Sequence, residues 1–260
     1  MQKVRAKKHL GQHFLKDLDA AKRIVDLYKN EQKTTKLLEI GPGMGVLTQY
    51  LIERDDIDLS VVEIDLESVA YLKEHFPTLK DNIISDDFLK FDVLKKLELT
   101  ENDTFDIIGN FPYNISSQIF FRVLDYKDQV REVVGMVQKE VGVRLASKPG
   151  NKDYGILSVL LQAYYDIEYS FTVLPGAFDP PPKVDSGVIR LVRNPDKSLN
   201  CDPKKFKTVV KTAFNQRRKK LSNALKPLGI DFTHPFLDKR AENLDYKDFM
   251  ELTHLIFKTT

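Results

Sequence analysis

The chain has 260 residues, 42% of them hydrophobic and 30% charged, which is enough to bury a full core in one large domain or one domain plus a small appendage. It contains no run of about 18 apolar residues, which argues against a membrane-spanning helix, and the basic start MQKVRAKK has no apolar segment behind it to make a secretory signal. Cys201 is the single cysteine, so intrachain disulfides and cysteine-rich metal sites are excluded and a reducing cytoplasm is expected, with no metal. The net charge of +2 is uneven: residues 196–260 hold 14 Lys/Arg against 8 Asp/Glu, which puts +6 there and −4 on the rest. Lys3, Arg5, Lys7 and Lys8 make a second basic tip, and two basic patches on an acidic body suit a polyanionic partner.

In chain order, the runs LLEI (37–40), LSVVEI (59–64), NIIS (82–85), FDIIG (105–109) and EVVGMVQ (132–138) read as strands. Between them Leu47, Tyr50 and Leu51, then Val69, Leu72 and Phe76, then Ile119, Val123 and Leu124 recur at helical spacing. Strands alternating with helices predict βαβ units, a parallel sheet and helices on both of its faces. After Lys148, Pro149 and Gly150 the pattern becomes β-rich, with YDIEYSFTV (165–173) and GVIRLVR (187–193) on either side of FDPPP (178–182). These predict a late antiparallel hairpin added to the sheet. Residues 194–200 read as a linker. Asp202 and Pro203 then give a helix start, followed by Phe206, Val209, Val210, Ala213 and Phe214 at helical spacing. The expected domains are therefore 1–195, α/β, and 196–260, small and helical.

The loop Gly41-Pro42-Gly43-Met44-Gly45 follows the first strand and opens a helix. Glycines there allow a sharp turn and a close backbone approach to a ligand. The spacing is GxGxG, without the third glycine of the dinucleotide fingerprint and without the lysine of a phosphate-binding loop. It suits an uncharged nucleoside or an amino-acid moiety, with Gly41 and Gly43 nearest the ligand. Glu63, at the end of the second strand and 18 residues after Gly45, can accept hydrogen bonds from ribose hydroxyls, although spacing alone does not separate it from Asp65. Asp86 and Asp87 follow the third strand, and either can meet an adenine amino group.

Asn110, Phe111, Pro112 and Tyr113 come directly after the fourth strand, where open α/β sheets bind their ligands. An amide, a proline turn and an aromatic ring there suit a flat, amino-bearing ring such as adenine. The cations Arg217, Arg218, Lys219 and Lys220, with Lys204, Lys205, Lys207 and Lys211, can track a phosphate backbone. A base must leave its stack to reach Tyr113, which is easiest in a loop or single strand.

The set EIGPGMGVLT (39–48), VVEID (61–65), SDDFL (85–89) and NFPY (110–113) resembles Rossmann-like class I S-adenosylmethionine-dependent methyltransferases that act on an exocyclic adenine amine. With LGQHFL (10–15), FDPPPKVDS (178–186) and FNQRRKKLSNAL (214–225), the chain resembles more narrowly the small-subunit ribosomal RNA adenine dimethyltransferase family. The resemblance implies S-adenosyl-L-methionine as cofactor, with contacts at His13, Leu15, Gly41, Glu63, Asp87 and Asn110. It favours Asp87 over Asp86. Catalysis is expected from the 110–113 turn with Tyr113 stacking on the base, and Phe178, beside a proline turn, reads equally as a second face for that base or as a core residue. The resemblance further implies transfer to two adjacent adenosines in a hairpin loop near the 3′ end of small-subunit rRNA, a small-subunit precursor as partner, and a monomer. His13 stands where many members have Asn, and Phe111 where Leu is common. The large-subunit rRNA methyltransferases of the macrolide-resistance type and a non-catalytic RNA-binding assembly factor are the competing expectations.

Overall fold

Seven strands form one sheet in which four apolar runs, at 36–40, 58–63, 105–110 and 130–138, are buried on both faces while the run at 83–85 is a partly exposed edge, and helices or loops join the parallel strands in βαβ fashion. The computed structural model describes residues 4–33 and 36–258; Lys3 of the basic tip lies outside them. The elements begin with β1 (Phe14–Leu15), α1 (Leu18–Leu27), β2 (Lys36–Ile40), α2 (Thr48–Leu51), β3 (Asp58–Glu63), α3 (Leu66–His75), β4 (Ile83–Ser85) and α4 (Val93–Lys96). They continue with β5 (Phe105–Asn110), α5 (Ser116–Asp125), β6 (Val130–Gln138), α6 (Lys139–Ala146), α7 (Ile156–Gln162), β7 (Tyr165–Val173), β8 (Phe178–Asp179) and β9 (Ser186–Arg193). The last helices are α8 (Pro203–Asn215), α9 (Leu221–Ala224) and α10 (Tyr246–Phe257).

The sheet order is β4-β3-β2-β5-β6-β9-β7. The pairs β3–β4, β2–β3, β2–β5 and β5–β6 are parallel, and β9 runs antiparallel to β6, with Gln138 opposite Ser186. The strand order reverses beside β2, between β3 and β5, so the loops after β2, β3 and β5 share one end of the sheet, which is where such sheets bind ligands. The expected α/β architecture with a late antiparallel addition is therefore the observed one. Two details differ. Asn110 is the last residue of β5, opposite Met136, rather than the first residue beyond the strand. The helix expected after the glycine loop is a single turn, α2.

Helix α1 was not singled out by the sequence pattern. Its N-cap Asp17 accepts from the Ala20 amide at 3.0 Å, which satisfies one of the donors a helix start leaves open. Its Ala20, Ala21, Ile24 and Val25 are buried in the core with Leu37, Leu51, Leu59 and Leu72.

Contacts divide the chain into two units, Met1–Gly142 with Glu168–Arg193, and Val143–Ile167 with Asn194–Thr260. The second is thus discontinuous, where the sequence suggested one segment from 196 on. Within it, α8 starts at the Asp202 cap, whose carboxylate accepts from the Lys205 amide at 2.8 Å, with Pro203 in the first turn. A reciprocal box between Asp245 and Asp248 starts α10. Tyr154, Phe214 and Phe249 pack as tilted rings through this unit, with centroids 6.4 and 6.1 Å apart. Among the described residues no helix is long and apolar enough to cross a membrane.

Candidate active site

One pocket at the ligand end of the parallel strands is lined by Leu10 to Phe14, Gly41, Gly43, Glu63, Ile64 and Asn110 to Tyr113. Three loops converge on it. The glycine loop takes its shape from residues in the left-handed region. Gly43 has φ +57°, a conformation costly for a side chain, and a Cβ there would stand 2.9 Å from the Phe14 ring. A Cβ on Gly41 would stand 3.7 Å from Pro112 Cδ, between the glycine loop and the 110–113 turn.

Glu63 ends β3 and is buried. Its carboxylate accepts from the Gly43 amide at 3.1 Å and the Asp65 amide at 2.9 Å. Burial raises its pKa, and these backbone bonds act against that rise. Of the two acids that spacing left open, Glu63 lines the pocket and Asp65 does not. Asp65 caps α3 through the Glu67 amide, bonds Ser68 at 3.1 Å and pairs with Lys7. Next to Glu63, Ile64 is 49% exposed, an apolar face left open at the strand end. No signal in the sequence marked it, since it read as one more strand residue. Behind the loop, Glu39 is buried and accepts from Thr48 Oγ1 at 2.6 Å; burial pushes its carboxyl up to about 8.

At the end of β5, Asn110 Nδ2 donates to the His13 carbonyl at 3.0 Å, which leaves Oδ1 as the acceptor end of the amide. The Phe111 amide donates to the Met136 carbonyl at 3.0 Å, and its ring is fully buried. That ring lies over Gly109 and Gly135, which face each other across β5 and β6; a Cβ on either would come within 2.9 Å of it. The unusual Phe111 thus has its room made by two paired glycines. The turn closes with the Ile115 amide donating to the Pro112 carbonyl at 3.1 Å. The Tyr113 hydroxyl bonds the Ser186 hydroxyl, and its ring is tilted 33° to the His13 ring at 5.3 Å.

His13 Nδ1 bonds the Pro180 carbonyl at 2.8 Å, so it carries the proton and Nε2 is the acceptor in the neutral ring. A two-stranded ladder beside it pairs Phe14 with Asp179 and Leu15 with Phe178.

Of the residues singled out in the sequence, His13, Gly41, Gly43, Glu63, Asn110, Phe111, Pro112 and Tyr113 come together in this pocket. Three do not. Leu15 is buried in the core cluster and its side chain serves packing. Phe178 is fully buried in the same cluster, so its ring is not available to stack on a base; the β1–β8 pairing turns it inward. Asp87 is outside the pocket lining, its carboxylate taken by the Leu89 amide at 3.0 Å and by Lys90 at 3.1 Å. Asp86 bonds the Asp87 amide and pairs with Lys96. Leu10, Gly11, Gln12 and Phe14 line the pocket without having been named individually, although the stretch LGQHFL marked their neighbourhood.

In the second unit the basic run divides. Arg217 donates to Glu242 at 2.7 Å and to the Lys152 carbonyl, and Lys220 pairs with Asp238 at 2.9 Å. Arg218 and Lys219 are exposed.

The donor set fits S-adenosylmethionine. A carboxylate suits ribose hydroxyls, Ile64 and Phe14 suit an adenine face, and the space over Gly41 lets a chain pass close to the backbone. Among the described residues no group of three or more His, Cys, Asp or Glu is placed to hold a metal.

The model of the family described as Ribosomal RNA adenine dimethylase matches residues 3–258. Ribosomal RNA small subunit methyltransferase A of Parabacteroides distasonis is 58% identical, covering 97% of this chain and 94% of its own. The protein of that name from Cytophaga hutchinsonii is 56% identical, covering 98% and 99%. Among solved structures, a dimethyladenosine transferase from Plasmodium falciparum superposes with a TM-score of 0.74 at 23% identity, covering 92% of this chain and 96% of that one. The 23S rRNA methyltransferase ErmE gives 0.65 at 23% identity, covering 92% and 98%. At that identity the two structures show a shared fold.

Proposed function

The chain belongs to the ribosomal RNA adenine dimethylase family, and from that premise we propose that it methylates N6 of two adjacent adenosines in a hairpin loop near the 3′ end of small-subunit rRNA, with the 110–113 turn as its reactive centre. It is an S-adenosylmethionine-dependent rRNA adenine dimethyltransferase. The observation that carries the site assignment is the convergence of Asn110, Pro112 and Tyr113 with Gly41, Gly43 and Glu63 on one pocket.

When bound, S-adenosylmethionine supplies an activated methyl on a sulfonium centre. Glu63 holds the ribose hydroxyls, and the backbone at Gly41 and Gly43 admits the methionine portion. The adenine amine is a weak nucleophile because its lone pair is delocalised into the ring. Asn110 Oδ1 accepts one of its N–H groups, and a carbonyl of the Phe111–Pro112 turn accepts another. Acceptors out of the ring plane favour a pyramidal nitrogen, so these bonds strengthen toward the transition state. Tyr113 stacks on the base, and such stacking is worth roughly 1–3 kcal/mol. The methylated nitrogen is acidic enough to release its proton to water, so no general base is required. The protein's share of the catalysis is mainly positioning.

Arg218 and Lys219 are the first candidates to meet the RNA backbone, since Arg217 and Lys220 are engaged by Glu242 and Asp238. The protein acts as a monomer in the cytoplasm on a small-subunit precursor. Relatives named for the small subunit at 56–58% identity support that substrate over the large-subunit alternative, which has a likeness of fold behind it. The experiment is labelled methyl transfer from S-adenosylmethionine to unmethylated small subunits, with the product identified as N6,N6-dimethyladenosine. An active, cofactor-binding preparation that makes no such product on small subunits overturns the proposal.

A further inference from the structure

Tyr113 has two attachments to the sheet. Its backbone belongs to the turn that β5 feeds, where the Tyr113 carbonyl accepts from Ser116 Oγ at 3.3 Å. Its hydroxyl reaches Ser186, 73 positions further on. Ser186 is fully buried and opens β9, in register with Gln138 of β6. The start of β9 is itself fastened: the Lys139 amide donates to the Asp185 carbonyl at 2.9 Å and Lys139 Nζ bonds Asp185 at 3.1 Å. The Tyr113 ring is half-buried and forms part of the pocket wall. A tyrosine held at its backbone alone keeps rotation about its two side-chain torsions. A second tether at the far end of the ring removes that freedom and fixes the plane a base would stack on. Either hydroxyl can donate, and burial moves the Tyr113 phenol above its ordinary pKa, so it stays protonated.

We infer that Ser186 is a positioning residue for methyl transfer: its hydroxyl holds the Tyr113 ring in the orientation that presents the target adenine to Asn110. The inference rests on the reading of Tyr113 as the platform for the base. A single hydrogen bond of this kind contributes about 0.5–1.5 kcal/mol net, so its loss lowers kcat/KM about three- to tenfold.

The test uses the full chain, small subunits and S-adenosylmethionine. Ser186→Ala and Tyr113→Phe remove the same bond from opposite ends. Each is expected to lower kcat/KM for the subunit about three- to tenfold, with unchanged affinity for S-adenosylmethionine. The double variant is expected to be no worse than either single one, and Ser186→Thr to restore most of the activity. If the losses multiply in the double variant, or if Ser186→Ala weakens cofactor binding equally, Ser186 acts through the fold and the inference is wrong. Should Ser186→Ala fail to fold, Tyr113→Phe decides alone, because it leaves β9 untouched. Tyr113→Ala separates the two levels. If it alone loses activity while Tyr113→Phe and Ser186→Ala match the wild type, the tether is wrong and the platform stands. If Tyr113→Ala is silent, the platform itself fails.

Discussion

Two turns carry the polar groups that matter most here, and they are built on opposite plans. In the 110–113 turn every side chain is fixed: Asn110 by the His13 carbonyl, Phe111 by two facing glycines, and Tyr113 by Ser186. In the 217–220 turn the outer residues, Arg217 and Lys220, are spent on Glu242 and Asp238, while the inner pair stands in solvent. Bond-making chemistry requires groups held in place before the substrate arrives. A phosphate backbone requires little more than positive charge at the right distance, and long solvated side chains supply that without preorganisation.

The sharpest way to break this comparison is Asn110→Ala. Removing one preorganised acceptor is expected to cut methyl transfer by about 10²–10³-fold while RNA binding is largely kept; equal loss of both would erase the division between the two turns. Next in size is Gly135→Ala. Its Cβ would fall 2.5 Å from the Phe111 ring, and such overpacking costs about 1–3 kcal/mol. Denaturant unfolding should record the loss, and adding Phe111→Leu should recover part of it. Smaller again is the double change Arg218→Ala with Lys219→Ala, expected to lower the salt dependence of RNA binding by about 1.4–1.8 in logarithmic slope, the release of two phosphate contacts. Arg217→Ala is expected to leave that slope nearly unchanged and to alter stability by less than about 1 kcal/mol, as for other partly exposed ion pairs. A changed slope would mean that the outer residues touch RNA as well.

The last prediction concerns pH. Glu39 has a folded-state pKa of about 8, above its ordinary value of 4.5. The folded protein therefore holds a proton that the unfolded chain has released, and this contribution to stability is full below about 4.5 and is lost as pH rises through 8. Glu39→Gln should flatten the decline in melting temperature over that range, because the amide can keep the Thr48 bond without a proton to lose. An unchanged pH profile would show that Glu39 is charged in the fold.

Much of the parallel sheet was legible because its strands are short apolar runs with glycine, acid or asparagine at their ends. The glycine loop, Glu63 and Asn110 stand where those ends fall. What the sequence hid depends on partners far along the chain. Phe178 beside a proline turn reads equally as platform or core, and only its pairing with Leu15 turns it inward. Ser186 closes the stretch FDPPPKVDS, but nothing local says what it bonds, because its partner is 73 positions away. The segment Val143–Ile167 joins the second unit through contacts that no periodicity announces. Ile64 looked like strand interior, yet β3 stops one residue before it and leaves it open.

The small ladder between Phe14 and Asp179 has a consequence for synthesis. The pocket draws its first wall from residues 10–14, near the start of the chain, and the ladder with the His13–Pro180 bond holds that wall in place. A nascent chain that has released only the glycine loop and the 110–113 turn still lacks the clasp. The wall is therefore fastened only once residues up to Pro180 have left the ribosome, well after the glycine loop and the 110–113 turn, in a protein whose own substrate is part of a ribosome.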